Sequence, residues 1–223
     1  MAIIKKGLLG GFSGKVGPVV GYRAMGQDLM RSKAKPRTSP AVGKELYNRN
    51  KFRTAHQWLL PLIDFLRLGF QDYAPTFAGF VAAKSYLLRN AFTGKYPNQV
   101  FNPALTLLSY GTLDQSDTAE VSVPSADKMI LRWSGGEYEY NERCMYVIYH
   151  PESTTALFET AGNQRRFGKA TIRLPKYLSG QNVLVYLAFT TDDRKNRSKS
   201  QFLGEFTIPQ PADQPLHRNR KKR

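Results

Sequence analysis

Apolar residues recur at helical spacing through the first half of the chain. Phe52, Ala55, Leu59, Leu62/Ile63, Leu66 and Phe70 lie three or four apart and mark one buried stripe. Ser39 followed by Pro40 predicts the start of this helix, an N-cap with proline at the first helical position. Pro61 predicts a kink or a split. A turn over 71–75 leads to a second pattern, Phe77, Phe80/Val81, Tyr86/Leu87 and Phe92, which Gly94 stops. Two helices joined by a short turn make an αα-hairpin, which lets each stripe bury itself against the other.

Beyond Pro97 the pattern changes to β-type runs at 129–133, 143–149, 156–160, 170–174, 183–191 and 202–208, punctuated by Gly135-Gly136, Gly162-Asn163, Ser179-Gly180 and Asp192-Asp193. This spacing predicts a sandwich. Apolar and polar positions alternate only loosely in 130–133 and 183–189, as in strands from the middle of a sheet. Residues 98–120 read as a connector. The first 33 residues hold Gly7, Gly10, Gly11, Gly14, Gly17, Gly21 and Gly26 between short apolar pieces, which predicts two or three short strands with tight turns.

Charge divides the chain unevenly. Residues 1–97 carry 16 Lys/Arg against 4 Asp/Glu, residues 98–210 carry 12 of each, and residues 211–223 carry 5 against 1. The basic half therefore faces something anionic. Within it, Arg31, Lys33, Lys35 and Arg37 fall in a proline-containing loop, and Lys44, Arg49, Lys51 and Arg53 on the solvent side of the first helix. Arg49 and Arg53 are one turn apart and present two guanidinium groups to one surface. Phe12, Tyr22 and Tyr47 are candidates for stacking on unpaired bases. Arg218, Arg220, Lys221, Lys222 and Arg223 end the chain as a tail expected to be disordered.

Little else points to chemistry. The single cysteine, Cys144, excludes an internal disulfide and sits in an apolar run expected to bury it. His56, His150 and His217 have no second ligand at metal-binding spacing. The stretch 11–17, Gly-Phe-Ser-Gly-Lys-Val-Gly, lacks the ending of a phosphate-binding loop, so turn chemistry explains its glycines. Glu137/Glu139 and Asp192/Asp193 lie in expected hairpin loops. No catalytic motif appears, and neither enzymatic activity, a metal nor a cofactor is expected. The longest uncharged run in the apolar middle, 73–83, is too short to span a bilayer. Lys15 interrupts the N-terminal apolar stretch before a signal peptide forms. The expectation is a cytoplasmic protein without a membrane span.

Two resemblances add architecture. Trp133 closing an early strand, followed by Tyr186-Leu187-Ala188-Phe189, resembles a fibronectin type III or immunoglobulin-like domain over 121–209. The stretch 10–21, with Pro36-Arg37-Thr38, Asn48-Arg49-x-Lys51-Phe52, Phe65-Leu66-x-x-Gly69-Phe70 and Asn90-Ala91-x-Thr93-Gly94-x-Tyr96-Pro97, resembles an uncharacterised family abundant in Bacteroidetes. A weaker likeness, in Gly-Lys-Val-Gly, Pro-Arg-Thr and the Arg-x-x-Phe helix, is to phage-like structural proteins.

The reading is thus an α+β protein: a basic β-hairpin and helical hairpin over 1–97, a connector over 98–120, an Ig-like or fibronectin type III-like sandwich over 121–209 and a basic tail over 210–223. Its expected function is non-enzymatic docking of Arg31, Lys33, Lys35, Arg37, Lys44, Arg49, Lys51 and Arg53 on nucleic acid or an acidic protein surface. The alternative is a structural component of an assembly, a homo-oligomer among them, that uses the sandwich as its contact surface.

Overall fold

A computed structural model describes residues 2–4, 10–24, 26–73 and 78–210, with only the backbone described at 2–4. Phe77 and the cations of the C-terminal tail lie outside the described residues. The chain is an α+β protein that divides into two compact units, 1–48 and 49–223.

The first unit is built on a four-stranded antiparallel sheet of β1 (Ala2–Ile4), β2 (Phe12–Val16), β3 (Val19–Ala24) and β4 (Gln27–Ser32), in that order. It has one more strand than the glycine spacing suggests. Residues 12–16 of the glycine-rich motif are strand rather than phosphate loop, and Gly17 (φ 55°) and Pro18 make the tight turn to β3. Gly21 is the only buried residue among those described in this unit. It lies under Phe12, whose carbonyl oxygen a Cβ at Gly21 would approach to 2.3 Å. Residues 33–38 have no regular structure and are exposed. Helix α1 (Gly43–Leu59) begins after, not at, the Ser39-Pro40 signal. Arg37 holds the intervening segment outside the helix by donating to the Ser39 carbonyl and, bidentately, to Glu45.

In the second unit, α1 breaks at Pro61 into a 3-10 turn (Leu60–Leu62), and α2 (Ile63–Gly69) and α3 (Gly79–Asn90) follow. The buried stripe is shifted from the predicted one. Phe52 is 55% exposed, whereas Trp58, absent from the predicted stripe, is 7% exposed. Seven strands follow the two-residue strands β5 (Phe92–Thr93) and β6 (Val100–Phe101), which pair with each other. They are β7 (Thr118–Ser125), β8 (Lys128–Ser134), β9 (Glu142–His150), β10 (Thr155–Glu159), β11 (Lys169–Arg173), β12 (Asn182–Thr191) and β13 (Gln201–Thr207). They form one sheet in the order β10-β9-β12-β13 and a second in the order β11-β8-β7. β7 straddles the expected boundary between connector and sandwich, ahead of the first β-run expected at 129–133, although Ala119, Val121 and Val123 alternate with polar neighbours in a strand-like way.

The central pair β9–β12 is covered on both faces. Cys144 and Ile148, with Val183, Val185, Leu187 and Phe189, face the core shared with Met129, Leu131, Trp133, Ala170 and Ile172 of the three-stranded sheet. The alternate residues Met145, Val147 and Tyr149, with Leu184, Tyr186 and Ala188, pack against Ala55, Trp58, Leu59, Leu62, Phe65, Leu66, Ala83 and Leu87 of the helices. This explains the loose alternation: a strand buried on both faces has no polar side. It also separates the helices from the basic sheet with which the sequence reading grouped them, because the stripes of α2 and α3 are spent on β9 and β12.

Trp58 is the hinge of the helix–sheet contact. Its ring lies 4.8 Å from that of Tyr149, 5.4 Å from Phe101 and 6.4 Å from Tyr186. Trp58→Ala is expected to cost about 3–5 kcal/mol of unfolding free energy in urea titrations, by lost transfer energy and a cavity. Phe52→Ala, two turns away on the exposed side, is expected to change it by less than about 0.5 kcal/mol. Equal effects would contradict the shifted stripe.

Candidate anion-binding interface

The candidate cations fall in both compact units. In the first, Lys15, Val20 and Arg31 stand opposite one another across β2, β3 and β4, and so share a face. With strands about 4.8 Å apart, Lys15 and Arg31 are about 10 Å apart across it. Tyr22 and Leu29 form the next cross-strand pair on the same face. Arg31, Lys33 and Lys35 are exposed and make no ion pair among the described residues. Lys33 prolongs the ladder, its N–H donating to the Pro18 carbonyl at 2.7 Å, and Lys35 is restrained to extended backbone by Pro36. Cations at 31, 33 and 35 thus recur at the two-residue period that aligns extended side chains.

The other candidates differ from these. Arg37 is paired with Glu45 across 2.7 Å, and that hydrogen bond raises its already high pKa. Arg23 reaches the Gly26 carbonyl at 3.4 Å. Lys44 is exposed on the first turn of α1. In the second unit, Arg49 and Arg53 are exposed on α1, while Lys51 is half-buried, 4.6 Å over the Phe92 ring and within 3.5 Å of Gln99 Oε1. Of the candidate stacking residues, Tyr22 is 38% exposed on the Lys15/Arg31 face. Phe12 lies on the opposite face over Gly21, and Tyr47 is half-buried. Sequence reasoning missed Lys15 as a member of the set, because its link to Arg31 runs through strand register rather than chain proximity.

Two arginines that look like further surface cations are interior. Arg165 is 1% exposed and donates to Glu142 Oε2 at 2.8 Å and to the carbonyls of Asp114 at 2.8 Å and Gln115 at 3.0 Å. Its guanidinium lies 4.0 Å over the Phe189 ring, and its carbonyl accepts from Trp133 Nε1 at 2.7 Å. Arg197, also 1% exposed, pairs with Asp72 at 3.3 Å and donates to the Leu68 carbonyl at 3.3 Å, tying the β12–β13 loop to the helices.

No group of three or more His, Cys, Asp or Glu is placed to hold a metal among the described residues. His150 is buried and shares a 2.5 Å hydrogen bond between Nδ1 and Ser153 Oγ. His56 is exposed and sets its ring edge-on to Phe80 at 5.4 Å. Burial pushes the Cys144 thiol up to about 12 and so keeps it unreactive. No helix among the described residues is long and apolar enough to cross a membrane.

Comparison with known proteins places the chain in a family. A family model described as "Family of unknown function (DUF6266)" matches residues 11–204, and the chain belongs to that family. No curated protein matches. A solved structure entitled "Myokine structure" is similar to 44% of this chain and 100% of its own, at 11% identity and a TM-score of 0.36.

The buried pair gives one expected outcome. Glu142→Gln leaves Arg165 buried beside a neutral group and should lower unfolding free energy by about 3–5 kcal/mol. Asp64→Asn, at the exposed pair with Arg67, should lower it by less than about 1 kcal/mol; urea titrations compare the two. A second outcome concerns alkali. The thiol of Cys144 and the phenols of Tyr146 and Tyr149 are pushed by burial from ordinary values of 9.0 and 10.0 to about 12. Folding favours their neutral forms, so this contribution to stability is complete below pH 9.0 and is lost as pH rises toward about 12. Thermal melts from pH 7 to pH 11 should fall in that window, and a flat profile would contradict the burial.

Proposed function

We propose that this protein is a non-enzymatic interaction module whose Arg31–Lys33–Lys35 segment docks on an anionic partner, nucleic acid before an acidic protein surface. The carrying observation is the exposed, unpaired cation row at 31, 33 and 35, continuous with a sheet face that adds Lys15 and Tyr22. Cations aligned on an extended backbone suit a linear polyanion, and an exposed tyrosine among them supplies a stacking surface for a base. Arg37 and Lys44 add to the positive charge of the first unit, and Arg49, Lys51 and Arg53 add theirs on the second.

The seven-stranded part reads as a fibronectin type III-like sandwich. The split into four and three strands and Trp133 packed on Phe189 at 5.8 Å support that reading. A bacterial, Bacteroidetes origin and a cytoplasmic location go with it. An assembly role is the second reading, favoured by solvent-facing aromatics on the loops at one end of that sandwich.

The test is fluorescence polarisation of a labelled single-stranded oligonucleotide at 50 and 200 mM salt, against the wild type and a variant carrying Arg31→Glu, Lys33→Glu and Lys35→Glu. Three phosphate contacts are expected to make wild-type affinity fall by about 20-fold between the two salts. The variant should bind weakly and with a shallower salt slope. No wild-type binding at low salt, or unchanged binding by the variant, contradicts the proposal.

A further inference from the structure

Three loops of the second unit meet at one end of its paired sheets: 135–141, 160–168 and 192–200. The Asp192 N–H donates to the Asn141 carbonyl at 2.8 Å, Arg143 pairs with Asp192, and Arg165 pairs with Glu142. Three large aromatic side chains face solvent on these loops: Tyr138 is 49% exposed, Tyr140 71% and Phe167 62%. They are held in place. The Arg166 guanidinium lies 3.7 Å from the Tyr140 ring centroid and 5.1 Å from that of Phe167, and buried Arg165 lies 5.3 Å from Tyr138. A grouped, pre-set display of tyrosine, phenylalanine and arginine is the composition of a protein-contact surface, and its ordering cost is already met by folding.

Charge selects the occupant. Beside Tyr138 runs a shallow recess of about 300 Å³ lined by Thr112, Leu113, Asp114, Glu137 and Glu139, with Glu142 at its floor. Glu142 is neutralised by Arg165, but Asp114, Glu137 and Glu139 are exposed and make no ion pair among the described residues. Arg166 is not among the residues lining the recess. A shallow acidic recess with a tyrosine wall fits an extended segment carrying spaced cations, whose aliphatic stems lie on the ring while their heads reach the carboxylates. The chain itself carries such a segment, exposed and unpaired, at 31–35.

We propose that the Arg31–Lys33–Lys35 segment of one molecule docks in the Asp114/Glu137/Tyr138/Glu139 recess of a second copy. The contact is head-to-tail, so it propagates into chains or closes into rings rather than ending at a two-fold dimer. A segment this short buries far less than the roughly 1,600 Å² of a standard interface, so association is weak, concentration-dependent and suppressed by salt. The inference rests on the segment being a docking element, as in the function proposed above, and not on nucleic acid being its partner. Nucleic acid and the recess compete for the same cations.

Sedimentation velocity on nuclease-treated, full-length protein tests this across a hundredfold concentration range at low and high salt. The wild type should exceed its monomer mass of 25.2 kDa increasingly with concentration at low salt only. A recess variant (Glu137→Lys with Glu139→Lys) and a segment variant (Arg31→Glu, Lys33→Glu, Lys35→Glu) should each stay monomeric. Their equimolar mixture should associate again, because each then offers the charge that the other lacks, and a variant that had merely failed to fold would not be rescued. The recess variant should still bind the oligonucleotide. Self-association that persists in the recess variant, a monomeric wild type throughout, or a mixture that stays monomeric overturns the proposal. Loss of oligonucleotide binding alone in the segment variant, with self-association intact, overturns it while leaving the nucleic-acid reading standing. Self-association with the expected charge pattern but no oligonucleotide binding does the reverse.

Discussion

The burial of β9 and β12 on both faces is the constraint from which the rest of the second unit follows. Two adjacent strands with apolar residues at nearly every position have no stable arrangement with one face in water. One face takes the three-stranded sheet and the other takes the helices, in alternate residues along each strand. The helices are therefore a layer of this unit, and Trp58 against Tyr149 and Tyr186 is where that layer is anchored.

Covering both faces also decides where polar groups go. Two connecting segments, 110–116 ahead of β7 and 192–200 between the paired strands β12 and β13, are tied down by arginines drawn into the interior. Arg165 satisfies the Asp114 and Gln115 carbonyls while paired with Glu142, and Arg197 reaches Leu68 and Asp72. Such pairs are costly to desolvate and owe their retention to the backbone carbonyls that they satisfy. Their consequence is outward: loops pinned from beneath present Tyr138, Tyr140 and Phe167 without the entropy loss that free loops would pay on contact.

Much of this was legible in the sequence, and the failures have physical causes. The six β-runs from 129 onward, the break at Pro61 and the burial of Cys144 follow from local pattern, and the structure has each. The weak alternation of 183–189 announced a buried strand but not what covers its second face, since a helix and a sheet leave the same apolar trace. Phe52 kept the helical period yet faces solvent, while Trp58 carries the packing; three-and-four spacing fixes a stripe only to within a residue or so of rotation. The helix start at Ser39-Pro40 was displaced because Arg37 and Glu45, eight residues apart, form a contact that local capping rules do not see. The cation row at 31, 33 and 35 was visible in composition. Its union with Lys15 was not, because register joins residues that sequence separates.

The layered second unit makes one demand on the energetics: helices and central sheet must open together. Native-state hydrogen exchange of the full chain in increasing urea measures this directly. The account predicts that the amides of α2, α3, β9 and β12 converge on one opening free energy, the global one, while the amides of residues 34–38 exchange without protection. Helices that open well below the free energy of β9 and β12 would contradict it, because the second face of the sheet would then be stable without them.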